Sequence, residues 1–325
     1  MEGNLRWMAL TAVAPVAWGT NYYVTHAYLP PEHPLYGAVL RALPAGLLLL
    51  CLCRRRPHGA WWWRSAVLGL LNVSVFFVLV YAASQLLPTS VAATVMAAAP
   101  LTMMLMAWAL VSERPGAAHL AGAAIGLGGV CLMVLTGDGG VSVPGVLASA
   151  AAMVVSSCGY ILAKRWSAGA DVLSSTAWQL TAGGLILLPV AAAVEGPPPA
   201  LPASALLAFG YVALVATALA FAAWFAGLRH LPAGTVGLVG LLNPVTGVLL
   251  GTLVAGETLA LQQAGGLALV LLGVVLGRPA RRPPGPAGHG PRDVSGAAPT
   301  GTGARPARRR RRPRRAWGPA GPGSP

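Results

Sequence analysis

Charge is what this sequence has least of. Only 9% of its 325 residues are Asp, Glu, Lys or Arg, against 56% hydrophobic. Soluble globular proteins carry roughly 25% charged residues, so a water-facing fold is excluded. Disorder over most of the length is excluded as well, because disordered chains are poor in apolar residues. The four cysteines, Cys51, Cys53, Cys131 and Cys158, fall in apolar runs. No histidine is spaced to complete a zinc site with them, so they read as small lipid-embedded residues and no metal is expected. No Asp or Glu lies in the middle of an apolar run, and neither GxSG nor HExxH occurs. Without a nucleophile and base or a carboxylate pair, an enzyme is not expected, and no cofactor is implied.

What is present is long apolar segments. A spanning helix needs about 20 largely apolar residues. Ten such segments can be read, near 7–27, 35–53, 65–86, 90–111, 117–136, 144–164, 173–194, 204–227, 234–255 and 262–278. Backbone groups in lipid must pair within their own segment, and the runs are continuous rather than alternating, so these are helices and not barrel strands. Near the N-terminus the only A-x-A, Ala12-Val13-Ala14, is followed by Pro15, so no cleaved signal peptide is expected.

The few charges are sorted by side. Arg54 to Arg56 with Arg64, then Arg114, Lys164-Arg165 and Arg229, occupy alternate connections; the connections around Glu32, Gln85, Asp138, Glu195 and Glu257 hold no Lys or Arg. Basic loops stay on the cytoplasmic side, which puts both termini there. Residues 279–325 hold eleven Arg and one Asp, so most of the net charge of +14 is tail. This Pro- and Gly-rich stretch should be a disordered cytoplasmic appendage, either simply solvated or touching anionic headgroups. It does not argue for a nucleic-acid partner.

The two halves repeat. Tyr81, Pro88, Pro100, Glu113 and Gly122 recur as Phe225, Pro232, Pro244, Glu257 and Gly266, each 144 residues on and without a gap. Arg41-x4-Gly46 echoes as Gln179-x4-Gly184. Five spans per half is odd, so the halves should be inverted, at 1–138 and 143–278. Inverted repeats are a mark of secondary transporters that bind substrate near the midplane.

With Trp18-Gly19-Thr20-Asn21, Tyr81 to Pro88, Ser112-Glu113-Arg114, Trp224 to Arg229, Asn243-Pro244 and Gly256-Glu257-Thr258-Leu259, the chain resembles the EamA-type branch of the drug/metabolite transporter superfamily. The resemblance covers residues 5–278. It implies a ten-span permease of the bacterial plasma (inner) membrane that moves small metabolites such as amino acids, more often outward. The rival reading is a non-transporting scaffold or regulatory protein that docks anionic lipid or a partner through its tail. A coupling proton or other ion is possible, as is a homodimer through the small-residue faces around Gly122-x3-Gly126 and Gly273-x3-Gly277.

The expected substrate site is polar and aromatic. Trp18, Asn21, Tyr22 and Thr25 share one helical face by their spacing. Asn72 and Phe76 could face them, with Ser156, Ser157 and Tyr160, and with Trp224. Singly, each is equally a helix-packing residue. Arg41 either snorkels to headgroups or lines the path as a cation. Pro100 and Pro244 interrupt the helix ladder at matched positions, either as kinks or as a source of free carbonyls beside Asn243. Glu113 and Glu257 either cap the next helix or act as gates. His26 is either interfacial or a proton carrier.

Overall fold

A computed structural model describes residues 2–28, 33–86, 96, 98–134, 142–253 and 261–277. Among these the chain is all helical, in ten segments. They are α1 (Glu2–Tyr28), α2 (Pro34–Cys53), α3 (61–86), α4 (Ala99–Val111), α5 (Ala117–Val134), α6 (Val143–Arg165), α7 (Val172–Glu195), α8 (Ala203–His230), α9 (233–253) and α10 (Leu261–Leu276). Among the described residues, five stretches are long and apolar enough to cross a membrane, Pro34–Cys53, Trp61–Ala83, Val143–Arg165, Val172–Glu195 and Ala203–His230. Shorter apolar helices fill α4, α5, α9 and α10. Glu257 and the tail from 278 onward lie outside the described residues.

The outside of the bundle is greasy. Leu47, Leu105, Trp108, Leu147, Leu185 and Leu207 are all exposed. In water such a surface would aggregate; in lipid it is the solvated face. The buried centre is small and aromatic, with Ala42, Ala45, Ala177, Ala216 and Ala220 closed around Trp224, Phe221, Phe225 and Tyr160.

Helix ends follow local chemistry. Pro34 opens α2, where its missing N–H costs nothing. Ser142 and Asp171 cap α6 and α7, accepting the N–H of Gly145 and of Ser174. Lys164 and Arg165 sit in the last turn of α6, where cations meet the negative end of the dipole.

The α2 and α7 helices run antiparallel and are tied at both ends. Glu195, at the end of α7, accepts the N–H of Leu35 (2.6 Å) and Tyr36 (2.9 Å) at the start of α2. Arg55, just after α2, meets Asp171, just before α7, at 3.2 Å. Asp171 would be pushed up by burial, but the Ser174 N–H and hydroxyl and the Arg55 cation hold its carboxyl below the usual range.

Two helices contain a wide π turn. In α3 it covers Leu70–Val75, and in α8 it covers Leu214–Leu219. The two are 144 residues apart at both edges, the same spacing that relates the sequence motifs. A π turn inserts one residue and redirects the groups beside it, and such turns gather at functional sites. The α5–α10 crossing has the same symmetry. A Cβ on Gly122 would meet the Gly273 carbonyl at 2.6 Å, and one on Gly129 would meet the Gly266 carbonyl at 2.7 Å. Backbones this close leave room for hydrogen only.

Candidate functional site

An aromatic box occupies the junction of α1, α6 and α8. Trp18 packs on Phe221 (centroids 5.5 Å apart) and on Trp224 (5.2 Å). Tyr160 packs on Trp224 (5.6 Å) and on Phe225 (5.8 Å). The α9 helix closes one side, and it breaks at Leu241, whose N–H bonds only three residues back to Leu238. Pro244 follows the break and gives no N–H to the Gly240 carbonyl. Gly19 lets α1 approach here: a Cβ would stand 2.5 Å from the Thr246 Cβ and 2.7 Å from the Asn243 carbonyl.

Two polar atoms in this region are buried without a hydrogen-bond partner among the described residues, Trp224 Nε1 and Asn243 Oδ1. Leaving such a group unsatisfied costs about 1–3 kcal/mol. One is a donor and the other an acceptor. They are the kind of groups a small polar ligand would satisfy.

Arg41 reaches the box through the α8 π turn. Its Nε donates to Thr217 Oγ1 at 3.1 Å, and its terminal nitrogen lies 3.4 Å from the Ala216 carbonyl. The Trp18 indole N–H donates to that same carbonyl at 3.0 Å. The guanidinium also covers the Phe77 ring at 4.9 Å. A cation thus sits among aromatic faces and a hydroxyl, well inside an apolar helix, where desolvation makes it costly. On the other half the corresponding pair is uncharged. Gln179 Oε1 accepts from Asn72 Nδ2 at 2.8 Å, with Asn72 in the α3 π turn. The Ser74 hydroxyl, in the same turn, donates to the Gly183 carbonyl at 2.9 Å.

The basic end of the bundle is closed by a polar network. Lys164 Nζ donates to Glu113 Oε2 at 2.7 Å and to the Leu231 carbonyl at 2.8 Å. The other Glu113 oxygen accepts the Ala233 N–H at 2.7 Å. Pro232 precedes that helix and has no side-chain cap to offer, so Glu113 supplies the anion at the positive end of its dipole. His119 on α5 reaches Thr235 at 3.0 Å. The ends of α4, α6 and α8 and the start of α9 are thereby joined.

The expected site residues divide. Trp18, Tyr160, Trp224 and Arg41 come together, and Asn243 and Pro244 border them. Asn72 spends its amide on α7 through Gln179 rather than on α1. Phe76 packs beside Phe77, at 5.5 Å. Ser156 turns its hydroxyl to its own helix, at the Met153 carbonyl. Pro100 lies in the first turn of α4, a place any helix tolerates. Glu113 caps α9 and not the helix that follows it in sequence. The side chains of Asn21, Tyr22, Thr25 and His26 lie outside the description, as does Glu257. Thr217, Gln179, Phe77, Phe221 and Lys164 were not read as site residues. The Arg41–Gln179 echo was the available signal for two polar positions of matched role.

A model of the EamA-like transporter family matches the chain twice, over residues 5–135 and 143–277. The chain belongs to the EamA-like transporter family. It is a membrane transporter, and its apolar helices and inner-membrane relatives make it a multi-pass inner-membrane protein. Protein PecM of Dickeya dadantii (strain 3937) is 35% identical over 265 residues, 81% of this chain and 89% of PecM. The inner membrane transporter YedA of Escherichia coli (strain K12) is 29% identical over 268 residues, 80% of this chain and 87% of YedA. A Salmonella typhimurium protein named "Probable amino-acid metabolite efflux pump" is 26% identical over 281 residues, 82% of this chain and 93% of that one. A solved crystal structure shares the fold of this EamA-like chain at a TM-score of 0.72 and 22% identity, over 84% of this chain and 96% of that chain.

Proposed function

We propose that this EamA-like transporter is a secondary exporter, not an enzyme, and that it carries small metabolites such as amino acids outward by alternating access. Two inverted five-helix halves, 1–138 and 143–278, form ten spans with both termini in the cytoplasm. The observation that carries this reading is the pair of π turns 144 residues apart, each gripping a polar side chain from the opposite half. Arg41 reaches the α8 turn; Gln179 reaches the α3 turn.

Substrate sits in the aromatic box. Arg41 leaves Thr217 to hold an anionic group, while Trp224 Nε1 and Asn243 Oδ1 take a polar group each. Only one half carries the cation, so the site has a direction. The Glu113–Lys164 network is the cytoplasmic gate, closed in this conformation. Opening it frees the Ala233 N–H and the Leu231 carbonyl together, which makes the gate two-state. A proton or another ion supplies the driving force; the small-residue faces around Gly122 and Gly273 pack on each other within the chain, so a second copy would use another apolar helix face.

The test is uptake and efflux of a metabolite panel in proteoliposomes, with and without a pH gradient. Flux of amino acids that depends on the gradient supports both the substrate class and the coupling. A chain that inserts but moves nothing on the panel contradicts the reading.

A further inference from the structure

A cavity lies away from the aromatic box, at the basic end of the bundle. It is an open crevice of about 460 Å³ among the 54–60 turn, the 166–171 turn and the end of α8. Arg55, Arg56, His58 and Arg229 stand around it, with Asp171 on one side and Trp178 in its wall.

The crevice is held in shape. Trp178 is buried, and its indole N–H donates to the Arg55 carbonyl at 2.8 Å. His58 and Trp61 pack on the Trp178 ring at 6.0 and 5.4 Å. Arg54 takes a left-handed conformation (φ 50°) that ends α2 just before the crevice-lining Arg55. One nitrogen of Arg229 donates to the Ala170 carbonyl at 3.0 Å and fixes that guanidinium over the second turn. Asp171 holds Arg55 and is itself held by both the amide and the hydroxyl of Ser174.

Three guanidiniums therefore surround one small volume, against a single carboxylate. Arg55 and Arg229 each have N–H groups beyond the one their protein bond uses. Cations gathered so repel one another unless an anion lies between them. Arg55 and Asp171 are 71% and 43% exposed, so water weakens their pairing and a stronger anion can displace it. A phosphate group, with up to two charges and several acceptor oxygens, fits several forks at once better than a carboxylate does. The volume is within the usual range for small-ligand sites, so the alcohol that carries the phosphate has room beside Trp178 and His58.

We propose that this crevice binds the phosphate of a phosphate ester, apart from the transport path. Two sources share that chemistry, an anionic lipid headgroup and a soluble phosphate ester. Exposed Trp62 and Trp63 stand on the helix that begins just past His58, with Trp63 packed on Trp166 at 5.0 Å. Such tryptophans mark headgroup depth, which makes the lipid source accessible. A phosphate taken by Arg55 competes with Asp171 and loosens the tie between the end of α2 and the start of α7.

The test uses the full-length chain, delipidated in detergent. One arm compares retention of phosphatidylglycerol and of diacylglycerol by native mass spectrometry. The other measures the thermal shift with glycerol 3-phosphate against glycerol at constant ionic strength. Preference for the phosphate-bearing probe in either arm is expected and identifies the source. In that arm, R56Q with R229Q should weaken binding about tenfold or more. D171N, which keeps the helix cap and removes the competing charge, should strengthen it several-fold. The Arg-rich tail is common to all variants, so the differences between them read the crevice. No preference in either arm, or binding unchanged in both variants, overturns the proposal. If R56Q with R229Q does not fold, the D171N comparison decides alone.

Discussion

Arg41 Nε lies 3.1 Å from Thr217 Oγ1, and this bond joins α2 to the π turn of α8. Its counterpart, Gln179 with Asn72, joins α7 to the π turn of α3 at 2.8 Å. One pair is charged and the other neutral. In the proposed mechanism the substrate's charged group meets the Arg41 side.

Replacing Arg41 by Gln keeps a hydrogen-bonding side chain and removes the charge. A charge-assisted bond is worth about 1.5–3 kcal/mol, so transport of an anionic or zwitterionic substrate should fall roughly 10- to 100-fold. Membrane insertion and thermal stability should change little, and Lys should rescue in part. Initial-rate flux in proteoliposomes, with the amount of inserted protein measured alongside, checks this.

The gate gives a second expectation. Lys164→Gln removes the ion pair with Glu113, whose partners are 19% and 27% exposed, while Glu113 keeps the Ala233 N–H. The closed cytoplasmic end should weaken by about 1–2 kcal/mol, between surface and buried values. A cysteine introduced at Ser167 should then be labelled from the cytoplasmic side faster than in the unaltered background. Unchanged labelling would mean that this network does not close the end.

On this reading the α5–α10 crossing is scaffold. Gly273→Val places a branched side chain against the Gly122 carbonyl, 2.5 Å from where its Cβ would sit. Backbone cannot yield as a flexible side chain can, so stability should drop by about 1–3 kcal/mol or more. Thermal unfolding in detergent reads this. The substrate affinity of the protein that remains folded should be unchanged.

Asp171 yields a pH dependence whose sign is fixed. Its folded-state carboxyl titrates below its ordinary value, so it stabilises the fold above the unfolded pKa of about 3.9. That stability is lost as pH falls through the lower, folded value. Asp171→Asn should flatten this acid-side loss while costing at most about 1 kcal/mol at pH 7, because the pair with Arg55 is exposed. Melting temperatures of both proteins between pH 7 and pH 3 provide the check.

Much of this was legible in the residues alone. The 144-residue spacing of Pro100 and Pro244 carries the repeat, and the same spacing reappears in the π turns. Trp18, Tyr160 and Trp224, expected as aromatic walls of one site, do pack on one another. The partners of the polar residues were not legible. Nothing in the spacing of Glu113 points to Ala233, 120 residues away, as the N–H it caps. Nothing in the sequence pattern singles out Thr217, and Gln179 stands out only as the echo of Arg41, because the π turns that bring their partners to them are invisible to a 3.6-residue period. The expected meeting of Asn72 with α1 gave way to Gln179, because a buried amide takes the nearest complementary amide.

Flux in proteoliposomes of unaltered protein and of Arg41→Gln, assayed on an amino-acid panel under a pH gradient, tests the central claim most directly. The account predicts substrate-specific flux in the first and a loss of roughly tenfold or more in the second at equal insertion. Equal flux in the two, or no flux of any panel member by the unaltered protein, would contradict it.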